Sequence, residues 1–113
     1  MEFINTGYPA PEGFISEAVI EYVTKQGGYV LGSHNTTSPW GRNGFGINGS
    51  GYWELGTGDT CPASSSTVTL NTRYTIKAST IKGSSYMDVN GTRVISTSDS
   101  SARSAGTIYV FRN

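Results

Sequence analysis

The chain has 113 residues, and its eight Lys and Arg balance its eight Asp and Glu, so the formal net charge is zero. This length supports one domain at most, and the neutral balance excludes the basic footprint of a nucleic-acid-binding surface. Only 14% of the residues are charged, whereas soluble domains usually carry about 25%. Gly, Ser, Thr and strand-forming residues take their place, which predicts a single all-β domain over residues 1–113.

The first residues, from Met1 to Gly7, have neither a basic start nor an apolar run, so no cleaved secretion signal is predicted. No stretch of the sequence approaches 18 consecutive apolar residues, and we therefore expect no insertion into a membrane. Cys61 is the only cysteine, which leaves no disulfide within the chain.

In chain order, the first long periodic segment covers residues 14–25. Its alternate positions are apolar, namely Phe14, Ala18, Ile20 and Tyr22. This period of two and the many β-branched residues favour a strand over the competing helix. Residues 29–33 follow a pair of glycines and are expected to return beside the first strand as its hairpin partner.

The middle of the chain is predicted as loops and short strands: a polar loop over 34–42, strands over 44–48 and 52–55, and a long loop over 56–66. In the second of these strands, Trp53 and Leu55 are assigned to the core. Tyr52 and Glu54 then face outward, because neighbouring strand residues point to opposite sides of a sheet.

The clearest local signal is Asn90-Gly91, which separates two alternating runs. Asn-Gly favours a type I′ hairpin turn, because both central residues of that turn need positive φ. A two-residue loop fixes the register of the strands. We therefore expect Asp88 to lie opposite Arg93, and Met87 opposite Val94 on the buried face.

Further strands are predicted over residues 73–80 and 107–111. The first of them alternates cleanly, with Tyr74, Ile76 and Ala78 toward the core. In total the sequence predicts about nine or ten short antiparallel strands, which is typical of a sandwich or a barrel.

Three segments together resemble a known family: the opening residues 2–9, the strand and Asn-Gly hairpin over 74–94, and the close over 106–113. In this order they resemble the bacterial and phage laminin-G-like branch of the concanavalin A-like lectin and glucanase superfamily. The resemblance implies a jelly-roll β-sandwich. Members of the branch usually continue for a few strands past the equivalent of residues 107–111. The chain is therefore expected to be a shortened member that works as a homo-oligomer or within a larger assembly.

Catalysis is not expected from this sequence. Glycoside hydrolysis needs two carboxyl groups about 5–9.5 Å apart, whereas Glu17 and Glu21 would lie about 13 Å apart along a strand. His34 is the only histidine, which argues against a Ser-His-Asp triad. The acidic residues are too scattered for calcium and the ligands too few for zinc, so we expect neither a metal nor a cofactor.

Carbohydrate binding is the sharper hypothesis, because aromatic rings hold the C–H faces of sugars and planar polar groups hold their hydroxyls. Six residues offer this chemistry: His34, Asn35, Trp40, Arg42, Tyr52 and Glu54. They predict a non-catalytic, lectin-like carbohydrate-binding or adhesion module. The alternative is a phage virion component, such as a capsid decoration, fibre or tail module, that contacts other proteins. For the residues themselves, the alternative to sugar binding is a structural role, in which Trp40 caps the end of the sandwich and Tyr52 is ordinary surface.

Overall fold

A computed structural model of the chain describes residues 2–10, 12–34, 42–58, 60–100 and 106–112. These residues form ten β-strands, and none of them is helical. The strands are β1 (Glu2–Ala10), β2 (Ile15–Glu21), β3 (Gly28–His34), β4 (Arg42–Ile47), β5 (Tyr52–Gly58), β6 (Ala63–Thr67), β7 (Arg73–Ser79), β8 (Ser85–Val89), β9 (Thr92–Thr97) and β10 (Gly106–Arg112). The described part of the chain therefore offers no helix that could cross a membrane.

The strands form two antiparallel sheets of unequal size. The larger sheet has six strands in the order β1-β10-β3-β4-β5-β6, and the smaller sheet has four in the order β2-β7-β8-β9. The two sheets pack face to face with one hydrophobic core between them. The predicted all-β, antiparallel sandwich is confirmed at this level.

The core lies between β4 and β5 of the larger sheet and β7, β8 and β9 of the smaller one. Trp53, which is 2% exposed, lies in this core. The rings of Tyr22 and Tyr74 contact it edge-on, with centroid distances of 6.1 and 5.0 Å. Nine further apolar side chains are buried with them: Phe45, Ile47, Leu55, Val68, Ile76, Ala78, Met87, Val89 and Ile95. Full burial of one such large side chain contributes about 1.5–3 kcal/mol.

The Asn-Gly hairpin between β8 and β9 has the predicted turn. Asn90 and Gly91 have φ angles of 51° and 81°, as a type I′ turn requires. Asp88 lies opposite Arg93, and two hydrogen bonds of 2.8 and 3.3 Å join the guanidinium group to the carboxylate. This hydrogen bonding holds the pKa of Asp88 below its ordinary value.

The expected pair of Met87 and Val94 is wrong. A register shift beside Asp88 places Ile95 opposite Met87 instead. Such a bulge adds one residue to a strand, and the hydrophobic sequence Val94-Ile95 allows either side chain to face the core. The buried side chain is Ile95, while Val94 is half-buried against the core.

Two predicted connections are also wrong. β3 does not return beside β2, because β2 pairs with β7, whereas β3 pairs with β10 and β4. The chain crosses between the sheets over residues 22–27, so that the apolar sides of both strands reach the same core. The predicted loop over 56–66 contains the end of β5 and most of β6, a Ser-rich edge strand with a mostly exposed surface.

The two tyrosines that contact Trp53 differ in their hydroxyl groups. The Tyr74 hydroxyl accepts a hydrogen bond from Thr69 N at 2.9 Å. The buried Tyr22 hydroxyl has no hydrogen-bond partner among the described residues. Burial also raises the pKa of Tyr22 far above its ordinary value, because the phenolate would lose its solvation.

We expect Tyr22→Phe to raise the free energy of unfolding by about 1 kcal/mol, because it removes an unpaired buried hydroxyl. Tyr74→Phe is the matched control and should lower it by about 1 kcal/mol, because it breaks a hydrogen bond. Urea unfolding at neutral pH measures both values. Equal losses in the two variants would contradict this interpretation.

The same pair of variants gives a pH dependence. Tyrosine in the unfolded chain ionises above about pH 10, whereas folded Tyr22 stays neutral to higher pH. The unfolded state therefore binds fewer protons, and stability falls as the pH rises above about 10. Tyr22→Phe should lack the part of the decrease in the free energy of unfolding that Tyr22 causes at alkaline pH. Urea unfolding at pH 9 and pH 11 measures this difference.

Candidate functional site

The candidate site lies on the face of the larger sheet that is turned away from the smaller sheet, which we call the outer face. The register of β4 and β5 defines it. Phe45 pairs with Leu55, and both side chains are buried in the core. Gly44, Gly46 and Glu54 are adjacent to them along the strands and therefore belong to the outer face.

Two rows of cross-strand neighbours form the centre of the outer face. The first row consists of Tyr29, Gly46, Glu54 and Ala63, and the second of Asn5, Tyr109, Gly32, Gly44 and Gly56. Tyr52 lies two positions before Glu54 on β5 and is 36% exposed. The outer face thus combines three tyrosines, one carboxylate and a continuous row of glycines.

The turn before β5 fixes the direction of Tyr52. Gly51 N donates to Asn48 O at 2.9 Å. The side-chain Oδ1 of Asn48 also accepts hydrogen bonds from Ser50 N at 3.0 Å and Tyr52 N at 3.1 Å. With Trp53 anchored in the core, Tyr52 points to the opposite side.

The glycines of the second row, Gly32, Gly44 and Gly56, are buried although they face away from the core. Tyr29 accounts for this, because its hydroxyl lies 3.2 Å from the Sγ atom of Cys61. Cys61 belongs to the segment beyond β5, three strand spacings or about 14 Å from β3. The Tyr29 ring must therefore lie along the sheet, above the glycine row.

One contact with the side chain supports this placement of the ring. The Cδ2 atom of Tyr29 would lie 3.3 Å from a Cβ atom placed on Gly32. A Cβ atom on Gly44 would collide with the carbonyl oxygen of Leu31, and one on Gly46 with that of Gly28. The glycines therefore allow β3 and β4 to approach closely and leave room for a ring above them.

The structure describes the backbone of four of the six predicted site residues, and all four belong to strands of the larger sheet. Tyr52 and Glu54 face outward, as expected. The backbones of His34 and Arg42 follow Gly32 and precede Gly44, so both residues occupy positions at one end of the same face. Their side chains lie outside the described part of the structure, as do Asn35 and Trp40.

Tyr29 and Tyr109 are not among the site residues predicted from the sequence. A bulge between Tyr29 and Leu31 is the reason for the first. With a strict period of two, Tyr29 would share the core side with Leu31, but the bulge turns it to the outer face. The position of Tyr109 could have been predicted from the sequence, because it alternates with Ile108 and Val110 in a predicted strand and so faces the opposite side.

Glu54 is the single acidic side chain that the structure describes on the outer face. Glu17 and Glu21 lie in the other sheet, paired with Lys77 and Arg73 of β7. The Arg73 Nε atom is 3.9 Å from Glu21 Oε1. Among the described residues, no three His, Cys, Asp or Glu side chains come together as metal ligands.

Comparisons with known proteins give no relative: no family model, no curated protein and no solved structure matches the chain.

We expect Gly46→Ala to lower the free energy of unfolding by at least about 2 kcal/mol, because the new methyl group meets the backbone of β3, which cannot move aside cheaply. Gly49→Ala is the matched control, because a Cβ atom there meets nothing within 4 Å. It should change stability by less than about 0.5 kcal/mol. Thermal or urea unfolding distinguishes the two, and equal tolerance would show that β3 and β4 are not in close contact.

Proposed function

We propose that the chain is a non-catalytic carbohydrate-binding module whose ligand lies on the outer face of the larger sheet. One observation carries the proposal: Tyr29, Tyr52 and Glu54 share the face of the larger sheet that is turned away from the hydrophobic core. Tyrosine rings can pack against the C–H faces of a sugar, and a tyrosine hydroxyl can donate or accept a hydrogen bond. A carboxylate accepts strong hydrogen bonds from sugar hydroxyls.

The placement of Tyr29 suits it to this role. Because its ring lies above the glycine row, it offers aromatic surface along the sheet instead of projecting from it. Tyr52 and Glu54 lie on β5, two strands away, which is about 10 Å. We propose that a sugar unit packs on Tyr29 while Tyr52 and Glu54 contact the same unit or the next.

The arrangement of acids supports binding without hydrolysis. Both glycosidase mechanisms use two carboxyl groups within about 10 Å of each other. Glu54 has no described acidic neighbour on the outer face. Glu17 and Glu21 are in the other sheet, opposite Lys77 and Arg73 of β7.

We also propose that the strands follow the jelly-roll topology of the concanavalin A-like superfamily that the sequence resembles. Two features support this proposal. The first and last strands, β1 and β10, are neighbours, and the remaining strands divide between two antiparallel sheets. Fold alone does not assign a ligand, so the carbohydrate proposal depends on the outer face.

The test is a glycan array, followed by titration calorimetry of the best soluble oligosaccharide. We expect Tyr52→Ala to weaken binding at least about tenfold, which is about 1.4 kcal/mol. Glu54→Gln should weaken it less, because the amide keeps an acceptor but loses the charge. Both variants should keep the thermal stability of the parent chain.

Tyr8→Ala serves as the matched control, since Tyr8 is 70% exposed on β1 and lies away from Tyr52. Its affinity should equal that of the parent chain. The proposal fails if the parent chain binds no glycan on the array, or if Tyr8→Ala loses as much affinity as Tyr52→Ala.

A further inference from the structure

The two sheets do not cover each other completely. β5 contacts β8 and β9, and β6 contacts β9, so the sheets are aligned at the β6 and β9 edges. With β9 opposite β6, the strands β8, β7 and β2 lie opposite β5, β4 and β3 in turn, and the smaller sheet ends there. At a strand spacing of about 4.8 Å, β10 and β1 extend about 10 Å beyond the smaller sheet.

Burial along one cross-strand row confirms this offset. Leu55, Phe45, Leu31, Val110 and Ile4 are successive neighbours across the inner side of the larger sheet. The first two are fully buried, the next two are half-buried, and Ile4 is 42% exposed. Ile108 shares the side of Val110 and is also half-buried. We call Ile4, Ile108 and Val110 the inner overhang.

The smaller sheet presents an edge strand beside the inner overhang. β2 pairs with β7 on one side and has no neighbour on its other side in the described sheets. Such an edge offers backbone donors and acceptors to a further strand. Glu17 and Glu21 project from the solvent side of β2, so an added strand would lie beside two carboxylates.

We propose that the notch between the β2 edge and the inner overhang receives a β-hairpin from another polypeptide. One strand of the hairpin extends the smaller sheet at β2, as in β-strand addition. The two strands together fill the two-strand offset between the sheets. The apolar side of the hairpin packs on the inner overhang, and Lys or Arg side chains on its solvent side lie beside Glu17 and Glu21.

The size of the inner overhang favours a hairpin over a second copy of the chain. β10 is seven residues long, or about 24 Å, so the uncovered strip measures about 10 by 24 Å. This is about 240 Å², well below the roughly 800 Å² that each partner of a stable complex buries. A hairpin gains further from the backbone hydrogen bonds of β2, which flat packing of a second copy would not provide.

The test uses two synthetic, disulfide-closed hairpin peptides that differ only on one side. Both carry Val at the positions for the inner overhang, and the other positions are Lys in the first peptide and Glu in the second. Fluorescence anisotropy measures binding to the full chain, and amide hydrogen exchange locates it. We expect the Lys peptide to bind about tenfold more tightly than the Glu peptide and to slow exchange in β2 and β10.

Two lysine variants of the chain provide the matched comparison. Ile4→Lys places a charge on the inner overhang and should weaken binding of the Lys peptide at least about tenfold. Ile81→Lys should leave binding unchanged, because Ile81 is similarly exposed, at 41%, but lies in the turn between β7 and β8. If Ile4→Lys fails to fold, Ile4→Thr replaces it, with a smaller loss of affinity in the same direction.

Three results would overturn the proposal. The first is no binding of the Lys peptide at millimolar concentration. The second is equal affinity for the two peptides, or protection at β6 or β9 in place of β2. The third is self-association of the chain with protection of β2 and the inner overhang, which would identify a second copy as the occupant.

Discussion

A four-stranded sheet can cover only four strands of a six-stranded one, and much of this molecule follows from that mismatch. The covered strands β4 and β5 hold the fully buried side chains, with Trp53 among them. The uncovered strands β1 and β10 are joined to the sheet by backbone pairing and by contacts such as the 2.7 Å hydrogen bond from Thr6 Oγ1 to Ile108 O. Hydrophobic stabilisation is therefore concentrated at one side of the sandwich.

Hydrogen bonds also join the two sheets at the side of the sandwich that holds the buried core. The buried Asn43 of β4 accepts a hydrogen bond from Thr80 at the end of β7, and Thr80 N donates to Phe14 O at 3.0 Å. On β5, Thr57 donates to the Asp99 carboxylate at 3.1 Å. These links join the larger sheet to segments next to β2, β7 and β9. β5, the strand that carries Tyr52 and Glu54, is thus fixed on its inner side, which gives the outer face a rigid support.

The two proposed binding surfaces come from this same asymmetry. Where the smaller sheet supports the larger one, the core is complete, and the outer face is left for polar and aromatic side chains. Where the support ends, apolar side chains of the inner side remain partly exposed beside an edge strand. One surface suits a polar ligand with apolar C–H faces, and the other suits a strand of another polypeptide.

The sequence predicted the parts of the fold that depend on alternation within one strand. Trp53 and Leu55 were placed in the core, and Tyr52 and Glu54 on the outside, because a strand without bulges has a period of two. Tyr29 and Ile95 were missed or misplaced, since a bulge changes the side that a residue faces and leaves no clear mark in composition. The pairing of β2 with β7 was also beyond prediction, because an apolar strand face shows that a core is near but not which sheet it belongs to.

The unequal cover of the two sheets is tested most directly by amide hydrogen exchange of the chain alone, followed residue by residue. The slowest amides should lie in β4, β5, β7 and β8 and should exchange only through global unfolding. Amides of β1 and β10 should exchange faster, through a local opening of lower free energy. Exchange in β1 and β10 as slow as in β4 and β5 would contradict the central claim, because it would show that these two strands are stabilised as fully as the covered ones.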